Sequence, residues 1–158
     1  MGRPEITVML SSLLEEHINA KDPRTYWAKE VTFDFSSANP VRVDYMRFKP
    51  INNSVSGIEK GDYYCYEVKS SVEDFNSKHG HNFLGDYNYY VMPEEVYSKV
   101  ESKIPYDVGA LVLSNGASYL KAVKKARRRD RKRAGMEMLL MMYRSFARDE
   151  HRGGERNG

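Results

Sequence analysis

The chain has a single cysteine, Cys65, in 158 residues, so an internal disulfide is excluded and stability must come from packing. That usage fits a reducing compartment, and the cytoplasm is the expected location. No run approaches the roughly 18 apolar residues that span a bilayer, so no membrane partner is expected. Met1 to Glu5 lacks a basic segment leading into an apolar stretch, and no secretory signal is read there. A glycine-rich phosphate loop is missing as well, which argues against a nucleotide-binding doubly wound fold. Neither a zinc-finger pattern nor an RNP motif occurs, so any affinity for nucleic acid should follow charge and shape.

Hydrophobic residues make up 41% of the chain and charged residues 30%, enough apolar material for one core and too much for a disordered polymer. We read residues 1–150 as one domain, with 151–158 as a frayed tail. A helix is expected over about Glu5 to His17, where Ile6, Leu10, Leu13, Leu14 and Ile18 recur at helical spacing. It should end at Asp22-Pro23. Two alternating segments, Val31/Phe33/Phe35 and Val41/Val43/Tyr45, read as strands. A polar loop, Lys49 to Gly61, precedes a third strand at Asp62 to Lys69. Ser70 or Ser71 can cap a short helix, and "GDYNYYVMP" reads as a strand whose Pro93 opens the next helix. Asn115-Gly116 predicts a tight hairpin, followed by a last helix from about Asp130 to Arg148 with Met136, Leu139, Leu140, Tyr143 and Phe146 on one face. The order implies an α/β domain: a central mixed β-sheet flanked by helices.

Within the third strand, "YYCYEVKSS" places two opposite charges in an apolar stretch. Residues two apart on a strand share a face, so Glu67 and Lys69 project together. Asp44, on the preceding strand, becomes their neighbour if the two strands pair. Carboxylate oxygens of this kind hold Mg²⁺ or Mn²⁺, the ion activates water, and a lysine steadies a phosphate or orients the attacking hydroxide. A Glu-x-Lys triplet arises by chance about once in a couple of hundred residues, so the triplet alone reads first as a solvated pair on a surface strand.

The order of segments adds information. "VRVDY", a turn-rich gap and "YCYEVKSSVEDF", followed by "LGDYNYYVMPEEV" and "IPYDVGALVLSNG", resemble the PD-(D/E)XK nuclease superfamily and, within it, the MmcB-like and related phage-encoded branch. The likeness spans roughly Glu30 to Lys125. Val43 stands where the family usually has a proline before the aspartate. The resemblance implies a restriction-endonuclease-like core and a Mg- or Mn-dependent deoxyribonuclease used in DNA repair, recombination or phage DNA metabolism. It implies Asp44 and Glu67 as metal ligands, the backbone carbonyl of Val68 as another, and Lys69 as the catalytic lysine. Members often add a glutamate from the first helix. Glu5 is preferred here, with Glu15, Glu16 and Glu30 as alternatives. A homodimer is compatible with the resemblance.

From Lys121 to Arg133 the chain reads "KAVKKARRRDRKR", with Asp130 as the only acid. Lys121, Lys124, Lys125, Arg127, Arg128, Arg129, Arg131, Lys132 and Arg133 are read as contacts to a DNA backbone, with Lys78 as an aid to the phosphate. A solvated charged face is the alternative. His79 and His81 are read as part of a polar turn in preference to a zinc clip. The tyrosines are read as core packing in preference to a base-stacking platform, and Cys65 as a small buried residue. The competing function is a nucleic-acid-binding module that keeps the fold without chemistry.

Overall fold

The computed structural model describes residues 2–21 and 25–157. Helix α1 (Arg3–Lys21) extends beyond the predicted span at both ends. Leu10, Leu14 and Ile18, spaced by four, are fully buried, so the helix presents one stripe inward. The predicted break at Asp22-Pro23 lies outside the described residues.

Six strands follow: β1 (Tyr26–Phe33), β2 (Val41–Lys49), β3 (Asp62–Val68), β4 (Tyr87–Pro93), β5 (Gly109–Leu113) and β6 (Lys121–Lys124). They lie in the sheet in chain order. The β1–β2, β2–β3 and β5–β6 pairs are antiparallel, and the β3–β4 and β4–β5 pairs are parallel. The protein is thus an α/β fold with a central mixed sheet flanked by helices, as the order of elements implied. Among the described residues no helix is long and apolar enough to cross a membrane.

The parallel pairs require crossovers, which α3 (Val72–Phe75) and α4 (Glu94–Val100) supply. Ser71, of the two predicted caps, takes the role, its Oγ accepting from Asp74 N at 3.0 Å. Pro93 is the N-cap of α4. The loop expected at residues 49–61 contains a one-turn helix, α2 (Val55–Glu59), capped by Ser54. Between β5 and β6 the chain turns through residues 114–120, longer than the tight hairpin read from Asn115-Gly116, with Gly116 at φ +78°.

One face of the sheet buries Tyr45, Tyr66, Val68, Val91 and Leu111 under α1. The other face carries two separate cores. Helix α5 (Gly135–Asn157) sets Met138 and Met142 against Val31, Phe33, Met46 and Cys65, while α3 and α4 set Phe75, Val96 and Val100 against Tyr90, Met92 and Val112. Glu67 stands opposite Tyr90 in the β3–β4 register and two residues from Cys65, at the seam between these cores.

Strict alternation fails in β1 and β2. Ala28 and Val31 both enter the α5 core, as do Val43 and Met46, spacings of three in place of two. The register is continuous from Lys29↔Tyr45 to Val31↔Val43, so both strands flip sides at Glu30 and Asp44. Glu30 has φ +52°, the local conformation that absorbs the flip. Met46 therefore shares a face with Val43, and Tyr45 turns to the α1 side, contrary to the simple pattern. Phe35 lies beyond the strand and is exposed.

The end of the chain differs most from expectation. Residues 125–134 form no helix, and α5 starts at Gly135 in place of Asp130. It continues through residues 151–157, which the composition had placed in a frayed tail. Extending an existing helix needs no new nucleus, so Gly153 and Gly154 fail to stop it. Its predicted inward face, Met136, Leu139, Leu140, Tyr143 and Phe146, is the exposed one. The helix has a second apolar stripe, Met138 and Met142, and that stripe meets the sheet.

Candidate functional site

Asp44 and Glu67 come together because β2 and β3 pair antiparallel. The register Tyr45↔Tyr66 sets the two acids opposite each other at the next position. The flip at Asp44 frees its carboxylate from the ladder. One oxygen, Oδ2, accepts from the backbone N of Val68 at 2.9 Å, and Oδ1 lies 4.0 Å from Nη2 of Arg42. Glu67 is only 8% exposed. Burial, with the neighbouring and hydrogen-bonded Asp44 adding to it, pushes its carboxyl up to about 9, against a smaller opposing pull from Lys69. Two carboxylates this close in a poorly solvated seam hold either a shared proton or a cation.

Lys69 is buried, 3% exposed, and its Nζ donates to the backbone carbonyls of His79 at 2.7 Å and Asp74 at 3.3 Å. Its own N–H continues the ladder to Val91 O at 2.8 Å. The covering segment is held by His81. Its Nε2 sits 2.9 Å from Phe75 O and 3.0 Å from Ser77 O, two acceptors, so that nitrogen carries the proton. Nδ1 then accepts from Tyr90 Oη at 2.6 Å. Gly80, at φ +77°, lies directly over the site. A Cβ there would fall 2.9 Å from Lys69 Nζ and 3.0 Å from Glu67 Oε2. A side chain there would be strained by the left-handed backbone and would push the ends of Lys69 and Glu67 aside.

Asp44, Glu67, Val68 and Lys69 are therefore brought together as the sequence implied. Glu5 is not. It is exposed at the start of α1, its Oε2 accepts from Gly2 N at 3.1 Å, and among the described residues no group of three or more His, Cys, Asp or Glu side chains gathers as for a metal. Of the other acids considered, Glu15 reaches the sheet, accepting from Tyr45 Oη at 2.9 Å, and Glu30 is exposed on β1. His79 and His81 are separated in role: one supplies a backbone carbonyl, the other pins the loop. Sequence reasoning missed Gly80 and the carbonyl of Asp74. The available signal was the glycine between two histidines, eleven residues after Lys69.

Cys65 is buried, and that burial pushes its thiol far above the usual range, which leaves no nucleophile there. Tyr63, Tyr66 and Tyr90 are core residues. Tyr64 and Tyr87 stack with ring centroids 4.9 Å apart, with Arg47 over the first at 4.0 Å and Arg128 over the second at 6.0 Å. Their partners are protein groups, in line with packing.

The basic run crosses the ends of the strands as a strap sewn down by acids distant in sequence. Arg128 binds Asp62 at 2.6 Å, Arg129 binds Asp107 at 2.7 Å, Arg131 binds Asp86 at 3.0 Å and Arg133 binds Asp34 at 2.7 Å. Hydrogen bonding to Arg133 holds the Asp34 carboxyl below its usual range, and hydrogen bonding to Arg129 does the same for Asp107. Lys124 donates to Pro105 O at 2.7 Å, and Arg127 stacks over Tyr106 at 4.4 Å. Lys121, Lys125 and Lys132 are exposed, as is Lys78 at the rim of the loop over Lys69. Most of the run's arginines thus serve the fold first.

No family model matches the chain, and no curated protein matches it. The fold is similar to that of a solved structure, the SPO1766 protein of unknown function from Silicibacter pomeroyi. That likeness has a TM-score of 0.61 at 18% sequence identity, over 92% of this chain and 88% of that one. It speaks for the fold alone.

Proposed function

We propose that this protein is a metal-dependent nuclease of the PD-(D/E)XK type, hydrolysing phosphodiester bonds in DNA. The observation that carries the reading is the pair of half-buried Asp44 and buried Glu67, set opposite each other on β2 and β3 with Lys69 two residues along. The order β2, β3, α3, β4, with the one-turn α2 inside the loop between β2 and β3, supports it, since the resemblance sets an Asp strand before a Glu-x-Lys strand that leads into a short helix and a further strand. A use in repair, recombination or phage DNA metabolism rests on that resemblance.

The donor set suits a small hard cation. Asp44 and Glu67 offer carboxylate oxygens, and the Val68 carbonyl is the further ligand implied by the resemblance. With two acidic side chains, a bound Mg²⁺ or Mn²⁺ would keep several waters. When bound, such an ion polarises a phosphate oxygen and lowers the pKa of a water. The protein's own residues do the rest. Hydrogen bonding from Val68 N fixes the Asp44 carboxylate, so its orientation is set before substrate arrives. Lys69, released from the carbonyls of His79 and Asp74, places its ammonium beside the phosphate, where negative charge grows. That release requires the Gly80 segment to move outward, and Lys78, on the same segment, then faces the backbone of the nucleic acid. The exposed cations of the strap, Lys121, Lys125, Arg127 and Lys132, add salt-sensitive affinity.

The experiment is cleavage of labelled duplex, single-stranded and branched DNA with Mg²⁺ or Mn²⁺, against chelator, comparing wild type with Lys69→Ala and Asp44→Asn. Cutting that needs metal and is lost in both variants supports the reading. Binding without cutting, unchanged in both, overturns it and leaves a nucleic-acid-binding module of the same fold. The bonds that tie Lys69 to backbone carbonyls favour this second reading, because a satisfied lysine is also a stable one.

A further inference from the structure

Helix α5 leaves Met136, Leu139, Leu140, Tyr143 and Phe146 exposed, by 38% to 85%, along a single face. Beside that face runs a groove of about 1090 Å³, closed on its other side by Tyr26, Trp27, Phe48 and Ile58. Tyr26, 57% exposed, belongs to β1, an edge strand. A fully exposed side chain of this size presents roughly 200 Å², so these six together offer an area on the order of the 800 Å² per partner that ordinary stable interfaces bury. Scattered exposed hydrophobics need no explanation, but a continuous row of this area does.

The charges flanking the row say what covers it. At its N-terminal end the preceding segment ends in "RKRAG", and at its C-terminal end the groove is lined by Asp149 and Glu150. Laid antiparallel against itself, α5 brings the non-helical segment that precedes it in one copy, with Lys132, toward Glu150 of the other, with the apolar row between and the two macrodipoles opposed. Lys132 and Glu150 are both exposed, and neither has an ion-pair partner among the described residues. Arg133 and Asp149 are occupied, by Asp34 and Arg148 respectively.

We infer that this face is a two-fold interface between two copies of this chain, formed by antiparallel α5 helices with the Leu140 and Tyr143 side chains at its centre. The face lies on α5 and the β1 edge, away from Asp44, Glu67 and Lys69, so the inference stands independently of the chemistry proposed above.

The test is the mass of the full chain by sedimentation velocity over 1–100 μM, on the order of the range where an interface of this size associates. A dimer is expected. Leu140→Glu with Tyr143→Glu, at positions already exposed in the monomer, should weaken association by about 30-fold or more, the scale of a lost hot spot, with an unchanged circular dichroism spectrum. Lys132→Glu alone should weaken it less, and Lys132→Glu with Glu150→Lys should restore it. A monomer at every concentration overturns the inference. So does a dimer indifferent to the Leu140 and Tyr143 changes, or a charge exchange that fails to restore what the single change removed.

Discussion

Two regions of this molecule concentrate charge, and burial makes them opposites. The strap at residues 125–134 has many cations, and each arginine from Arg128 to Arg133 finds an acid or a carbonyl within reach. In the seam two acids face each other, with Lys69 tied to a loop carbonyl and Arg42 reaching only the outer oxygen of Asp44, 4.0 Å away. Number of charges favours the strap as the functional element. Electrostatic frustration favours the seam, because unlike the strap it holds an arrangement that folding alone does not require.

The sharpest way to break that contrast is to remove one cation from each region. Lys69→Ala should abolish metal-dependent cleavage, with a loss of at least about 1,000-fold, while Arg129→Ala should leave the rate per folded molecule within a factor of a few. Single-turnover cleavage on refolded, monodisperse samples distinguishes the two. If Arg129→Ala proves as damaging as Lys69→Ala, the strap takes part in the chemistry.

Stability should show the reverse ranking. Asp86 is 3% exposed and accepts from Arg131 Nε at 3.0 Å and from Tyr63 N at 2.8 Å. Arg131→Ala leaves that carboxylate buried with the Tyr63 N–H and a single cation, Arg128, 3.8 Å away, and should cost about 2–4 kcal/mol in urea unfolding. A change under about 0.5 kcal/mol would mean that the strap is solvated decoration after all.

The seam should also give the protein a pH dependence of unusual sign. The Glu67 carboxyl is raised to about 9 in the fold from an ordinary 4.5. Between those values the folded state holds a proton that the unfolded chain releases, so stability falls as pH rises through that window. In chelator, thermal melts from pH 5 to 9 should decline by the equivalent of a few kcal/mol, and Glu67→Gln should flatten the decline. A wild-type curve as flat as the variant's contradicts the crowded pair. Gly80→Ala should act on the same seam from above. It forces an alanine into φ +77° against Lys69 and Glu67, costs about 1–2 kcal/mol, and should quicken acylation of Lys69 measured by peptide mapping. At the small end, Lys125→Ala should change stability by less than about 0.5 kcal/mol and reduce the salt slope of DNA binding by about one.

Much of the seam was legible in the sequence, because a strand's period of two is local. "YEVKS" puts Glu67 and Lys69 on one face wherever the strand ends up, and the turn-rich gap after "VRVDY" made pairing with Asp44 the simple solution. The flip at Glu30 and Asp44 was illegible, since it depends on which face each core offers to β1 and β2 together. The strap was misread as the start of a helix for a related reason. Arginine and lysine are good helix formers, but the acids that hold these arginines extended lie 22 to 99 residues away, beyond any window of local pattern. α5 was given the wrong buried face because it has two apolar stripes, and only the packed sheet selects between them. The carbonyls that cap Lys69 leave no trace in composition, because every residue has one.

In the proposed nuclease Asp44 and Glu67 hold a cation, with a proton as the substitute in its absence. Mn²⁺ binding by calorimetry at pH 7.5, in two buffers of different ionisation enthalpy, measures both at once. One saturable site is expected, its filling releasing about one proton, with both signals lost in Asp44→Asn and in Glu67→Gln. Absence of binding, or binding with no proton release that survives both substitutions, would contradict the proposal.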